Sequence, residues 1–452
     1  MKMLFNINFI LRWAKSIYLW VDKRSELRAR MKTQKACFGV VPLSVGLMMI
    51  ILLTMKTPVQ AQSIEYPNPK TNPDSPLMLS GDWFDHPHEI DFSCLPKIPL
   101  QHTVVSNVAH EGITTHIVDK QRGGSNQHNY MIHYDDRFWI MWSDGPQVED
   151  KVGQRVSYST SLDGLVWDKP QYITQLPENS GPDSPFYAQR NSNGFRWIAR
   201  GFWLRDNELI ALASIDEADS FFGPSLELRA FVWNKQEQNW TDRGTLVKDA
   251  INNFPPKMTP DGQWMMSRRS HNYKEEGVDF MVGGITSMTD WTVYPIIGSN
   301  DILKAEEPFW WLLPDGKNIM SLYRDNSRSG YLYRAFSTNY GRSWSTPIKT
   351  NFPDTASKFH GIRLSDGRYI LVSNPRPERP RDPLVISISE DGMVFNKMAY
   401  LIGGRWVDYP HVMEHEGYLY VAFSGAKQTI EVLKMHISDL DNLDMSQTCS
   451  NN

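Results

Sequence analysis

Six stretches of this chain set histidine, tyrosine, arginine or tryptophan among small polar residues. They are "GGSNQHNYMIHYDD" (Gly123 to Asp136), "SPFYAQRNSNGFRWIARGFW" (Ser184 to Trp203), "SRRSHNY" (Ser267 to Tyr273), "EEPFWW" (Glu306 to Trp311) with "LYRDNSRSGYLYR" (Leu322 to Arg334), "SKFHG" (Ser357 to Gly361) and "WVDYPH" (Trp406 to His411). Their side chains share a chemistry. Arginine stays charged and grips a carboxylate with two hydrogen bonds. Histidine and tyrosine pass protons when positioned and tuned. Aromatic rings cover the face of a sugar. A ring of such residues suits an anionic sugar. No metal motif stands out: His116, His128 and His133 lack the short helical spacing of a zinc protease, and no EF-hand loop occurs. The chemistry requires no cofactor, and a structural metal ion in a central channel is left open.

The elements that must carry these stretches read as β. "RFWIMWSDG" (Arg137 to Gly145), "GQWMMSRR" (Gly262 to Arg269), "GKNIMSLYRD" (Gly316 to Asp325), "GRYILVSNP" (Gly367 to Pro375) and "GYLYVAFSG" (Gly417 to Gly425) are short runs rich in β-branched and aromatic residues, and most follow a turn glycine. No long stretch has helical periodicity. The aromatics that close successive units are evenly spaced: 51 residues from Trp240 to Trp291, 53 from there to Trp344 and 51 to Phe395. From Trp167 to Trp240 the step is 73, the same unit with an insertion. Four short strands with their turns need roughly 40–50 residues, which is one propeller blade. The fold class is therefore all-β, a β-propeller of four-stranded antiparallel blades. Five units are visible. A sixth combines the C-terminal run from Tyr409 with a strand from the N-terminal region and closes the ring. A seventh blade inside Met78 to Val118 stays open.

Bulk composition agrees. The chain has 452 residues, 16 of them Trp, enough for a large core. Its net charge of −4 gives no sign of a basic nucleic-acid binder. "GVVPLSVGLMMIILL" (Gly39 to Leu53) follows a basic "MKTQK" and precedes Val59-Gln60-Ala61, a small-x-small cleavage pattern. Met31 to Ala61 reads as a secretory signal. A single transmembrane anchor is the alternative, but 15 apolar residues are short for a hydrocarbon core of about 30 Å. Residues 1–30 are then a mis-called start or a cytoplasmic extension. Residues 62–115 form an N-terminal segment, 116–440 the catalytic propeller and 441–452 a tail. Export places the mature protein outside the cell or in the periplasm, free of the membrane. Cys94 and Cys449 flank the propeller, and an oxidising compartment lets them bridge.

Three stretches resemble one another: "STSLDGLVWDKP" (Ser159 to Pro170), "STNYGRSWSTP" (Ser337 to Pro347) and "SISEDGMVFNKM" (Ser387 to Met398). They resemble the Asp box of the sialidase superfamily, and the resemblance runs from about His116 to Leu440. It implies hairpin turns in which Asp163, Asn339 and Asp391 bond turn amides and Gly164, Gly341 and Gly392 take positive φ. In that family the boxes lie away from the active site.

The resemblance implies two chemistries. A sialidase binds its substrate carboxylate with three arginines, attacks with a Tyr paired to a Glu, and uses an Asp acid. The segment from Glu306 to Trp344 is similar to the sialidase run from Glu-Pro to an Asp box, so Glu307, Arg324 and Arg334 fill such places. The family's Arg-Ile-Pro motif is missing here. The layout is also similar to propeller ulvan lyases, in which an early His, a Tyr, an Arg and a later His serve β-elimination. By order these are His128, Tyr187, Arg200 and His271. The sequence reading is a lyase acting on uronic-acid-containing polysaccharide. An exo-glycosidase of the sialidase type and a non-catalytic sugar-binding propeller are the alternatives. The signal pattern yields a first prediction: N-terminal sequencing of the exported protein finds a mature start near Gln62, and a secreted form that retains Met31 contradicts it.

Overall fold

The computed structural model describes residues 68–81, 90–107, 124–145, 149–177, 194–218, 222–377 and 381–445. They belong to one compact unit, Ser63–Asn452. The first strand in the chain, β1 (Gln101–Asn107), finds its partner last. Blade 1 holds β2 (Ser125–Tyr134), β3 (Arg137–Gly145), β4 (Arg155–Ser161) and β5 (Gln171–Tyr172). Blade 2 holds β6 (Phe195–Arg205), β7 (Glu208–Glu217), β8 (Glu227–Asn234) and β9 (Asn239–Lys248). Blade 3 holds β10 (Lys257–Met258), β11 (Trp264–Arg268), β12 (Asp279–Gly283) and β13 (Trp291–Pro295). Blade 4 holds β14 (Ala305–Leu312), β15 (Ile319–Asp325), β16 (Tyr331–Ser337) and β17 (Ile348–Pro353). Blade 5 holds β18 (His360–Arg363), β19 (Tyr369–Ser373), β20 (Leu384–Ser389) and β21 (Lys397–Ile402). Blade 6 holds β22 (Val407–His415), β23 (Tyr418–Gly425), β24 (Thr429–His436) and, at its outer edge, β1.

The sheets are antiparallel meanders, and β2 contacts both β6 and β22, so the ring closes on itself. Six blades form among the described residues. No seventh forms there, because residues 101–107 pair with β24 instead. The one α-helix described is the single turn Tyr273–Glu276. Cys94 is disulfide-bonded, and its expected partner Cys449 lies outside the described residues.

Side chains alternate across each strand, and the apolar set fills the wedges between blades. Between blades 1 and 2, Trp139 meets Trp233 edge-on at 4.9 Å and Tyr158 meets Trp240 at 5.6 Å. Each large side chain buried this way contributes roughly 1.5–3 kcal/mol. This explains why aromatic spacing marks the blades.

The Asp boxes behave as their residues imply. Asp163 Oδ1 accepts from the amides of Leu165 and Val166, both at 2.8 Å, and Asn339 and Asp391 play the same part in their turns. Gly164 has φ +75°, and a Cβ there would sit 2.4 Å from the Tyr420 ring. The serine that accepts from the glycine amide is Ser161 in the first box and Ser389 in the third, two residues beyond the start of each quoted stretch. The boxes join third to fourth strands. Strands alternate in direction, so these turns lie at the opposite end of the ring from the loops between second and third strands.

The joint between β1 and the rest of blade 6 concentrates on Glu431 of β24, which is 1% exposed. His102 of β1 reaches it at 2.5 Å and Arg405 donates to it at 2.8 Å. Burial alone would raise its carboxyl, yet the hydrogen bonds from His102, Arg405 and Thr429 hold it down to about 2, from an ordinary 4.5. The group is depressed on folding, so its stabilisation is present above the ordinary glutamate range and fades as pH falls from about 4 towards 2. Removing the charge strands its partners, but both keep some solvent, which discounts the loss to about 2–3 kcal/mol. Glu431→Gln is expected to lower the thermal midpoint at pH 7 by several degrees and to lose that difference near pH 2. An equal midpoint at pH 7 refutes the assignment.

Candidate active site

A cleft of about 640 Å³ opens at the end of the ring remote from the Asp boxes. Its walls come from the first strands of several blades and from the loop between β3 and β4. The backbone device that aims the key side chains is the same in each case. Strand β2 is bulged between Gln127 and Tyr130, and His128 there has φ 52°. Strand β14 is bulged between Glu306 and Phe309, with Glu307 at φ 53°. Strand β22 is bulged between Asp408 and His411, with Tyr409 at φ 56°. Strand β6 is bulged between Ala199 and Gly201, beside Arg200. A bulge bends its strand and re-aims a side chain, and non-glycine residues at positive φ carry backbone strain that clusters at functional sites. Proline follows both Glu307 and Tyr409, and proline inside a strand marks a bulge because it cannot donate to the ladder.

Tyr409 donates its hydroxyl to Glu149 Oε1 at 2.6 Å. Burial and the neighbouring charges of Glu149 and Asp408 push the phenol well above its ordinary value. Burial would raise Glu149 too, but Lys427, which is bonded to it, and the Tyr409 hydroxyl keep it below the usual range. The next residue, Asp150, goes the other way: burial lifts its carboxyl, against the pull of Arg196, and Glu149 beside it adds to the rise. Ring nitrogen and carboxylate oxygens of His128, Glu149 and Asp150 lie within 4.8 Å of one another. His128 packs edge-on against Tyr409 at 4.6 Å. Burial, then Arg200, Lys358, Lys427 and Arg269, keep it neutral. So many cations around the trio oppose a further cation there.

Arginines line the rest of the cleft. Arg324 donates to Glu307 at 2.9 Å and Arg381 to Asp408 at 2.8 Å. Glu307 stays ionised because Arg324, Arg269 and Lys358 outweigh its burial. Arg269 approaches Glu306 at 3.4 Å, and Tyr273 donates to that carboxylate at 2.7 Å. Beneath the cleft, Lys358 donates to Tyr130 at 2.8 Å, and burial brings its ammonium down to about 7. His411 Nδ1 accepts from Met131 N–H, and His360 Nδ1 from Val412 N–H, so these two histidines cap free strand edges in the channel.

Six blades, Asp-box turns on one face and a polar cleft on the other fix the architecture. The fold is similar to the propeller of solved sialidases, and part of the chain is similar to a BNR repeat-like domain. The BNR repeat-like match spans residues 226–421. No curated protein matches the chain by sequence. Among solved structures, a sialidase shares 17% identity at a TM-score of 0.54, covering 79% of this chain. This chain spans only 35% of that protein's length. A Dyadobacter fermentans protein of unknown function matches over its whole length at 11% identity and TM-score 0.56, covering 76% of this chain. Trypanosoma rangeli sialidase in complex with sialic acid matches at 12% identity and TM-score 0.54, covering 76% of this chain and 60% of its own. At these identities the likeness is one of fold.

The propeller places the sequence candidates unevenly. His128, Arg200, Glu307 and Arg324 line the cleft. His271 does not: its backbone and its ring both bond Asp249 at 2.8 Å, in the loop between β11 and β12. Arg334 is also displaced from its expected role. It sits on the third strand of its blade and donates to the carbonyls of Leu77 and Met393, beside the third Asp box. Tyr187 lies outside the described residues. The sequence reading missed Glu149, Asp150 and Arg381, and quoted Tyr409 and Arg269 only within longer runs. The Tyr-Pro and Glu-Pro pairs inside strands were the available signal.

Proposed function

We propose that the cleft is the active site of a glycosidase for a carboxylated sugar, with Tyr409 as nucleophile. The observation that carries this is the Tyr409–Glu149 hydrogen bond beside a carboxyl, Asp150, of opposite proton preference. Arg324 and Arg381 flank the tyrosine and meet the substrate carboxylate. The Tyr409 oxygen attacks the anomeric carbon as its proton passes to Glu149. The bond to the leaving oxygen breaks, and that oxygen takes the proton of Asp150. Water then attacks the tyrosyl-linked sugar and gives its proton to Asp150, and the departing tyrosine oxygen takes its own proton back from Glu149. Two neighbouring carboxyls whose environments push them apart supply the acid and the base. Solved sialidases of the same fold support the class of substrate.

A second reading rests on one observation: neutral His128 lies against Tyr409, with Arg200 in the same cleft. That set also suits β-elimination of a uronate, with arginine neutralising the carboxylate and tyrosine or histidine moving the proton. The products separate the readings. Aryl glycosides of sialic and uronic acids, and acidic polysaccharides, are offered to the protein. Hydrolysis releases saturated reducing sugar, and elimination leaves an unsaturated uronate that absorbs in the ultraviolet. We expect hydrolysis, lost to background in Tyr409→Phe. An unsaturated product overturns the glycosidase reading, and tight binding without turnover leaves a sugar-binding propeller.

The proton inventory sets the pH profile. The rate falls as pH rises through the raised pKa of Asp150 and as pH drops through the lowered one of Glu149, the two limits belonging to the pair. Asp150→Asn is expected to cost ~10²–10⁴-fold in turnover and to remove the alkaline limb. An unchanged alkaline limb in a folded variant excludes Asp150 as the acid.

A further inference from the structure

Most guanidinium groups lining the cleft are committed to a carboxylate. Arg196 pairs with Asp216 at 2.9 Å, Arg324 with Glu307 at 2.9 Å, and Arg381 with Asp408 at 2.8 Å. Arg269 has Glu306 at 3.4 Å. Arg200 is the exception. It is 2% exposed, its Nε donates to Ser214 Oγ at 2.9 Å, and among the described residues no carboxylate lies within ion-pair distance. Ser214 fixes the plane of the guanidinium. Its terminal nitrogens are left for whatever enters the cleft.

Leaving a buried charge without a counter-ion costs several kcal/mol, and folded proteins normally relieve that cost with a partner. The cost is visible in the group itself: burial pushes Arg200 down to about 10 from 12.5, partly offset by Tyr130, with Arg269 lowering it further. Of the two acids whose charge acts on it, Asp150 is itself driven towards its neutral form and Asp216 is paired with Arg196. Arg200 therefore has no ion-pair partner of its own among the described residues.

Arg200 belongs to β6 of blade 2, whereas Arg324 and Arg381 belong to blades 4 and 5, across the six-bladed ring. The charges that act on Arg200 are Arg269, Asp150 and Asp216 of blades 1 to 3. Those that act on Arg381 are Asp408, Arg324 and Glu307, with Tyr409, of blades 4 to 6. A sugar whose carboxylate lies between Arg324 and Arg381 presents its far side to Arg200. We infer that the substrate carries a second anionic substituent, a sulfate ester or a second carboxylate, and that Arg200 is the residue that holds it. This rests on the proposed anionic-sugar site and specifies its substrate class.

Calorimetric titration of the full chain carrying Tyr409→Phe, which blocks turnover, provides the test. The probes are glucuronic acid, its O-sulfated form and a diuronide. The expected result is a gain of roughly 10–100-fold in affinity for a dianion over the monoanion, from a charge-assisted pair in a buried site. Preference for the sulfated probe identifies a sulfate site, and preference for the diuronide a carboxylate site. Adding Arg200→Gln is expected to erase that gain while changing glucuronic acid affinity by no more than about twofold. A variant that weakens all three probes equally makes Arg200 a third arm of one carboxylate clamp and overturns the inference. Equal affinity for all probes in the parent does so too. If no sugar acid binds, the anionic-sugar reading itself fails and the inference falls with it. A second measurement guards against misfolding: Arg200→Gln should melt higher than the parent without ligand, because the stranded charge is gone. Sulfate ion should raise the midpoint of the parent alone. A lower midpoint for the variant, unmoved by sulfate in either protein, contradicts the stranded charge.

Discussion

A β-bulge on the first strand of a blade is the device on which the cleft depends. That strand pairs on one side only, and its other edge faces the channel. A regular strand would send successive side chains into the two neighbouring wedges and none along the channel. The bulges at His128, Arg200, Glu307 and Tyr409 break that alternation at the mouth of the ring. Each turns one polar side chain towards the axis. The strain of three non-glycine residues at positive φ is offset by the blades beneath, where apolar side chains fix the strands on both faces. Edge amides freed in the channel find His360 and His411, so little backbone is stranded.

Charge then divides the labour among residues the bulges assemble. Glu149 and Asp150 are adjacent in the chain yet differ in proton affinity, because Lys427 and Tyr409 hydrogen-bond to the first while burial dominates the second. The same ammonium helps keep His128 neutral. Arg381 and Arg324 are each braced by a carboxylate, which fixes their orientation before a ligand arrives. Such preorganisation means that binding need not order long side chains.

The blades were legible in the sequence and the site only partly so, for a physical reason. Burying an aromatic at the wedge between blades demands the same residue type at the same place in each unit, as at Trp167, Trp240, Trp344 and Phe395. Turn chemistry is equally local, and Asp163 with Gly164 declares itself within a few residues. A site assembled from six blades has no such local rule. Arg324 and Arg334 look alike in sequence, yet one lies on a second strand facing the cleft and the other on a third strand bonded to carbonyls near an Asp box. His271 sits beside Arg269 in the same short run, but its ring turns back to Asp249. Glu149 and Asp150 read as an ordinary hairpin loop until blade 6 brings Tyr409 across to them.

That crossing has a consequence in time. The ring is sewn shut where its last-made blade meets its first, and the Tyr409–Glu149 contact spans that seam. A ribosome delivers Glu149 about 260 residues before Tyr409. Throughout that interval no partial chain holds both halves of the dyad. On the proposed chemistry, a chain without a docked blade 6 carries no complete dyad, however well its earlier blades have folded.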